Sequence, residues 1–182
     1  MTANLKLIAL LFLVQIGYSQ GQTLYGTSTG EVSFYSDTPL ETIEAVNKKT
    51  GCIINATSRE LAVQMKITDF DFPNKLMQEH FNENYLESEK YPTASFKGKI
   101  KEAVDLTVSG TYSVTAEGSL TIHGVTKPVS VKGTLVSSGS ELKLDFKFQV
   151  RTEDYKIEVP SLVVTKIAET IDVTGKITLV KK

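Results

Sequence analysis

Cysteine and histidine are almost missing from this chain. Cys52 is the only cysteine, so no disulfide can form within one molecule. We interpret it as a small buried hydrophobic residue rather than a nucleophile. His80 and His123 are the only histidines, and no further ligands stand at the spacing of a zinc site. We therefore expect no metal centre.

Blocks of one charge are missing as well. The 20 basic and 21 acidic residues are interspersed, without the basic stripe that tracks phosphates in nucleic-acid-binding proteins. No glycine-rich phosphate loop, nucleophile elbow or zinc-protease motif is present. We predict a protein that is not an enzyme and binds no nucleic acid. A histidine-dependent enzyme of unknown reaction, using His80, His123 and a nearby carboxylate, stays open as an alternative.

The one long apolar run is too short to cross a membrane. It covers residues 7–14, follows Lys6 and precedes the small residues Gly17 and Ser19, whereas a bilayer requires about 20 apolar residues. This layout is typical of a secretory signal peptide. We predict that residues 1–19 are removed and that residues 20–182 form one exported domain, periplasmic or secreted, without a stable membrane anchor.

Alternation of apolar and polar residues dominates the rest of the chain. The clearest series sets Leu142, Leu144, Phe146, Phe148 and Val150 against Lys143, Asp145, Lys147 and Gln149, as in a strand with one buried face. Similar alternation occurs at residues 61–67, 106–114, 129–135 and 171–179, and shorter strands are predicted at 31–35, 51–57 and 95–100. Turns at His123-Gly124 and at residues 137–140 indicate hairpins.

Helical signals are few and short. One helix is predicted at residues 41–47, after Pro39, and another at residues 73–84. A third helical or irregular segment is expected at residues 160–168. The predicted fold is therefore an all-β antiparallel barrel of about eight strands with one to three short helices, because closure removes exposed sheet edges.

Three glycines bear on whether the barrel is hollow. Gly110, Gly133 and Gly175 stand in the apolar register of their strands. Their missing side chains either leave internal volume or mark bends in curved strands. A hollow interior would hold one small ligand, whereas a filled interior would suit a structural or partner-binding barrel. Both interpretations stay open on the pattern alone.

Two stretches resemble the YceI-like family. Residues 76–98 contain a helix-like segment with His80-Phe81 before Tyr91-Pro92, and residues 118–131 carry the pattern Leu-Thr-Ile-x-Gly-Val-Thr-Lys-Pro-Val. The resemblance implies an exported barrel similar to lipocalins, with a long apolar tunnel, and some members bind polyisoprenoid chains. It therefore implies a protein that sequesters or carries an isoprenoid or similar lipid.

Two departures from the family pattern bear on the ligand's head group. No histidine precedes the first strand within residues 27–34, and Tyr155 is followed by Lys156 where the family often has glycine. If polar groups there hold a head group, a different head group is expected here. The expected partner is an apolar small molecule or lipid, no other cofactor is expected, and the sequence leaves a homodimer open. The candidate ligand-binding residues are Phe34, Met65, Phe72, Met77, Phe81, Phe96, Ile122, Phe146 and Phe148.

Overall fold

The computed structural model describes residues 22–158 and 167–182. The predicted signal peptide, residues 1–19, and most of the third predicted helical segment, residues 160–168, lie outside the described residues. Within these ranges the strands are β1 Leu24–Asp37, β2 Thr42–Asn55, β3 Glu60–Lys66, β4 Phe70–Asp71, β5 Thr93–Ile100, β6 Gly110–Ile122, β7 Val125–Ser137, β8 Glu141–Arg151 and β9 Thr170–Lys181, and the helix α1 is Lys75–His80.

Eight of these strands close into an antiparallel barrel. Neighbours follow the order β1-β9-β8-β7-β6-β5-β3-β2, and β2 pairs again with β1. The two-residue β4 only extends the edge of β2, through Val46 opposite Asp71 and Asn47 opposite Phe70. The prediction of a closed all-β barrel of about eight strands is confirmed.

The alternation in the sequence sets which side chains point inward. In β8, Leu142, Leu144 and Val150 are buried, while Lys143 and Lys147 are exposed. The turn between β6 and β7 is the predicted one, with φ of 50° at His123 and 70° at Gly124, as in a two-residue type I′ hairpin. A Cβ at Gly124 would also collide with the Tyr91 ring. Both the positive φ and the lack of space therefore favour glycine at this position.

Two sequence predictions about elements are wrong. Residues 41–47 do not form a helix, and Thr42 begins β2, because Ile43 and Ala45 pair with Ser36 and Phe34 of β1 across the hairpin. Residues 106–109 precede β6, which begins only at Gly110.

The helix predicted at residues 73–84 is confirmed in a shorter form. The Asn74 side chain caps α1 by accepting hydrogen bonds from the Leu76 and Met77 amides. A π-helical turn, Phe81–Tyr85, continues it. No helix among the described residues is both long and apolar enough to span a membrane.

The two ends of the barrel differ in how they are filled. At the end where β6 begins and β7 ends, Tyr25, Leu106, Leu135, Leu142 and Leu179 are inaccessible to solvent. The loop residue Leu106 is held there because Ser137 Oγ donates a hydrogen bond of 2.8 Å to its carbonyl oxygen. We call this the closed end. The opposite end, where α1 and the β6–β7 turn lie, is called the open end.

Candidate functional site

A cavity of about 420 Å³ occupies the open end of the barrel. Its wall is mainly apolar and draws on β1, β2, β3, β6, β8 and β9 together with α1 and the π-helical turn. The inward members of the period-two series supply most of the strand contribution, among them Val32, Phe34, Ile122, Phe148 and Val173. Because the far end is packed, this cavity is blind rather than a tunnel.

Four phenylalanine rings form one side of the cavity. Phe34 stacks on Phe81 with ring centroids 5.3 Å apart, and Phe72 lies 5.0 Å from Phe81. Phe70 joins them at 5.3 Å from Phe34. These rings attach the π-helical turn to β1 and β4, so they both line the cavity and hold its rim.

A second, smaller cavity of about 80 Å³ lies deeper in the barrel. Val32, Met65, Ala94 and Phe148 line both cavities, so the two adjoin. Phe96 and Phe146 occupy the deeper wall. The inner half of the barrel is therefore nearly filled and the outer half is hollow.

The glycines in the apolar register are crowded by neighbouring groups. A Cβ at Gly175 would overlap the Phe146 ring, a Cβ at Gly110 would press on Tyr112, and one at Gly133 would collide with the Asp145 carbonyl oxygen. Aromatic rings or neighbouring backbone take up the volume of each missing side chain. The interpretation that these glycines create cavity volume does not hold at Gly110 and Gly175, whereas Gly133 does line the inner cavity.

All nine predicted ligand-binding residues line one of the two cavities. Phe34, Phe72, Met77, Phe81 and Ile122 line the outer cavity, Phe96 and Phe146 the inner one, and Met65 and Phe148 both. Their contact with a ligand stays a prediction. The choice of residues missed Ile43, Phe70 and Val173, which also line the outer cavity. Val173 belongs to a recognised alternating series, whereas Ile43 was hidden by the incorrect helix prediction.

The polar groups in the wall are largely engaged by the protein itself. Ser36 is buried, and its Oγ accepts a 2.9 Å hydrogen bond from the Ala168 amide. Asn74 caps α1. Burial, with a smaller contribution from the Glu41 carboxylate, raises the pKa of Tyr85, so that its phenol stays neutral. The wall therefore favours an apolar occupant.

The two histidines have separate surroundings. His80 is exposed at the rim of the outer cavity. The His123 side chain is only 10% exposed, with Nε2 2.7 Å from Glu87 Oε2 and Nδ1 3.1 Å from the Tyr155 carbonyl oxygen. His123 in the β6–β7 turn therefore contacts both the segment that carries Glu87 and the segment that carries Tyr155. Within residues 22–158 and 167–182, no cluster of three or more His, Cys, Asp or Glu side chains could hold a metal ion.

Cys52 is buried in the barrel core. Burial raises the pKa of its thiol to about 12. The thiol is therefore protonated at neutral pH, which agrees with a packing role.

Comparison with known proteins places this geometry among related folds. The model of the YceI-like domain family matches residues 19–179. A polyisoprenoid binding domain from Saccharophagus degradans is 14% identical, with 89% of this chain and 100% of that one covered and a TM-score of 0.75. Burkholderia cenocepacia BcnA is 20% identical, with coverages of 82% and 95% and a TM-score of 0.69. No curated protein matches the chain.

Proposed function

Because this chain belongs to the YceI-like family, we propose that it is an exported protein that holds an elongated apolar molecule, an isoprenoid or similar lipid, inside its barrel. It binds this molecule without changing it chemically. The observation that carries the proposal is the blind, apolar cavity of about 420 Å³ at the open end. Small-molecule cavities in proteins span about 300–1,000 Å³.

The free energy of such binding comes from taking the ligand's apolar surface out of water. Each methylene group transferred from water contributes about 0.8 kcal/mol, which corresponds to roughly a fourfold gain in affinity. The inward side chains of the wall offer few directed polar contacts, so affinity is expected to depend on chain length more than on detailed shape. A chain would enter with one end first and leave any polar head group near the rim formed by α1.

The relatives support the ligand class. The Saccharophagus degradans structure is described as a polyisoprenoid binding domain, and it has the same fold. The inward phenylalanine and methionine side chains suit a flexible, branched hydrocarbon, because rings and thioethers adapt to irregular apolar shapes.

Export is the second part of the proposal. Residues 1–19 have the charge, apolar run and small residues of a signal peptide, and the family match begins at residue 19, beside the proposed cleavage point. Expression with the full leader should give a mature protein whose intact mass corresponds to a start near Gln20. A mature protein that retains Met1 would contradict cleavage.

The binding proposal is tested by filling the cavity. Ala94 is buried and lines both cavities, so Ala94→Phe should place a ring where the ligand lies. In the neighbouring β3, Ala62 alternates with the buried Leu61 and Val63 and so faces the outside of the barrel. Ala62→Phe therefore serves as the matched control. Mass spectrometry under native conditions should find a bound apolar molecule in the unaltered protein and in the control, and much less in Ala94→Phe.

Two results would contradict the binding proposal. One is unaltered protein, purified gently, that carries no apolar molecule and takes none up. The other is equal retention in both variants, which would place the ligand outside the cavity.

A further inference from the structure

The barrel wall is not continuous between β7 and β8. From the closed end, the ladder between them runs from Ser137 opposite Leu142 to Lys132 opposite Lys147, and there it stops. β7 nevertheless remains paired with β6 as far as Val125, and β8 with β9 as far as Arg151. The open-end half of the wall is therefore divided by a seam, with residues 125–131 on one side and 148–151 on the other.

Pro128 removes one of the ladder hydrogen bonds that could otherwise close this seam near the open end. Ile122 and Val125 flank the two-residue turn and face each other across the hairpin. Backbone groups alternate in direction along a strand, so Pro128, three residues beyond Val125, turns its nitrogen away from β6 and toward β8. Proline has no N–H, and β7 therefore cannot donate a ladder hydrogen bond to β8 at that position.

A short turn after β8 closes the seam. This turn, Glu153–Tyr155, ends at Lys156 with a φ of 55°. Tyr155 is 3% exposed and packs with Leu120 and Val150 in a common apolar cluster. We call this segment the Tyr155 turn.

Among the described residues, apolar packing and two polar contacts join the Tyr155 turn to β7 and its hairpin. Val125 and Val129 of β7 pack against the cluster that contains Tyr155. Lys127 Nζ lies 3.3 Å from Asp154 Oδ1, and both side chains are almost half exposed. The Nδ1–H of His123 donates to the Tyr155 carbonyl oxygen, since a carbonyl can only accept. An exposed ion pair of this kind is weak, so the burial of Tyr155 is the main resistance to opening the seam. No ladder between β7 and β8 has to break for the turn to leave.

The seam leads directly into the interior. Val131 on one side and Phe148 on the other line the inner cavity, while Val150 and Ile157 line the outer one. Residues on both sides of the seam therefore belong to the cavity walls.

We propose that the β7–β8 seam is a second, lateral entrance to the cavity, closed by the Tyr155 turn, through which an apolar chain passes sideways. This inference rests on the proposed function. A long chain entering a blind cavity end-on must slide along its full length, whereas an open seam admits it along its side. The Tyr155 turn then covers the chain.

The test is the kinetics of uptake and release of cis-parinaric acid, a fluorescent 18-carbon chain, by stopped flow. The double variant Lys127→Ala, Asp154→Ala should raise association and dissociation rates together by roughly two- to fivefold, the factor that an exposed ion pair is worth, with Kd unchanged. The matched control removes the exposed pair Lys101–Glu117, 3.0 Å apart, which joins the residue after β5 to the middle of β6. Tyr155→Ala, if it folds, should raise both rates further.

The outcomes separate the two proposals. If the Lys127→Ala, Asp154→Ala variant takes up the probe with rates that change no more than those of the control variant, the lateral entrance is overturned and the proposed function stands. A change in Kd carried by dissociation alone also overturns it, because lost packing and not gating would be the cause. No uptake by the unaltered protein overturns the proposed function and the lateral entrance with it.

Discussion

The contact between Phe146 and Gly175 predicts that a glycine-to-alanine substitution in a strand, which is usually stabilising, is destabilising here. These two residues lie directly opposite each other on β8 and β9, and a Cβ at position 175 would overlap the Phe146 ring. Replacing glycine by alanine in a strand usually stabilises a protein by about 0.5–1 kcal/mol, because glycine loses more backbone entropy on folding. Here we expect Gly175→Ala to destabilise the barrel instead.

The magnitude follows from where the ring can go. Forcing extra atoms into a packed interior costs about 1–3 kcal/mol, and Phe146 can yield in part toward the inner cavity of about 80 Å³ that it lines. We therefore expect Gly175→Ala to cost about 1–2 kcal/mol. Phe146→Ala alone should cost about 3 kcal/mol, the lower end for phenylalanine truncation, because the ring is only partly buried.

The double variant Phe146→Ala, Gly175→Ala tests whether the ring causes the destabilisation. Once the ring is absent, Gly175→Ala should become neutral or stabilising, which gives a coupling free energy of at least about 1 kcal/mol in a double-mutant cycle. Chemical denaturation followed by circular dichroism measures all four proteins. Additive effects of the two substitutions would refute the reasoning, because they would mean that the ring does not occupy the space above Gly175.

Three further predictions concern the wall, the core and the surface. Phe148→Asp should lower stability by about 3 kcal/mol or more, because it places an unpaired charge in an apolar interior, whereas Thr178→Asp on the outer face of β9 should be near neutral in the same thermal melt. Cys52, whose thiol pKa is about 12, should be ionised in roughly one molecule in 10⁴ at pH 8, so Ellman's reagent should react only on unfolding; fast labelling of the native protein would contradict this. Hydrogen bonds from Gln149 and Lys147 lower the pKa of Asp172, so their stabilisation is complete above the ordinary carboxyl pKa and lost as pH falls through the lowered one. Asp172→Asn should flatten the acid side of the stability profile, and an unchanged acid side would argue against these contacts.

The strands that were predictable are those with one buried face. β8 and β9 could be located to within a few residues because alternation alone defines an amphipathic strand. β6 was placed less well, since Leu106 continues its apolar register but belongs to a loop that packs the closed end. Periodicity does not distinguish a strand residue from a loop residue that is buried by tertiary contacts.

The incorrect helix at residues 41–47 has a clear physical origin. Thr38 accepts a hydrogen bond from the Glu41 amide through its side chain, the same local contact that would cap a helix. The chain continues as a strand because Ile43 and Ala45 find partners on β1. Such long-range pairing outweighs local signals and is not visible in a short window of sequence.

The residue types that line the candidate site could be predicted from the sequence, but how far the cavity extends into the barrel could not. The nine residues chosen from alternation, from the apolar groups of the predicted rim and from the family resemblance all line the cavities. The sequence did not reveal that the Phe146 ring covers Gly175 or that Leu106 closes the far end. Pro128 was visible from the start. Its meaning depended on the hairpin register, which decides whether its nitrogen faces β6 or β8.

The most direct measurement is the affinity of the mature protein for linear alcohols of increasing chain length, by calorimetric titration. For a blind apolar cavity we expect affinity to rise about fourfold per added methylene and then to level off once the cavity of about 420 Å³ is filled. Affinity that is independent of chain length from the shortest alcohol onward would contradict burial of the chain inside the barrel.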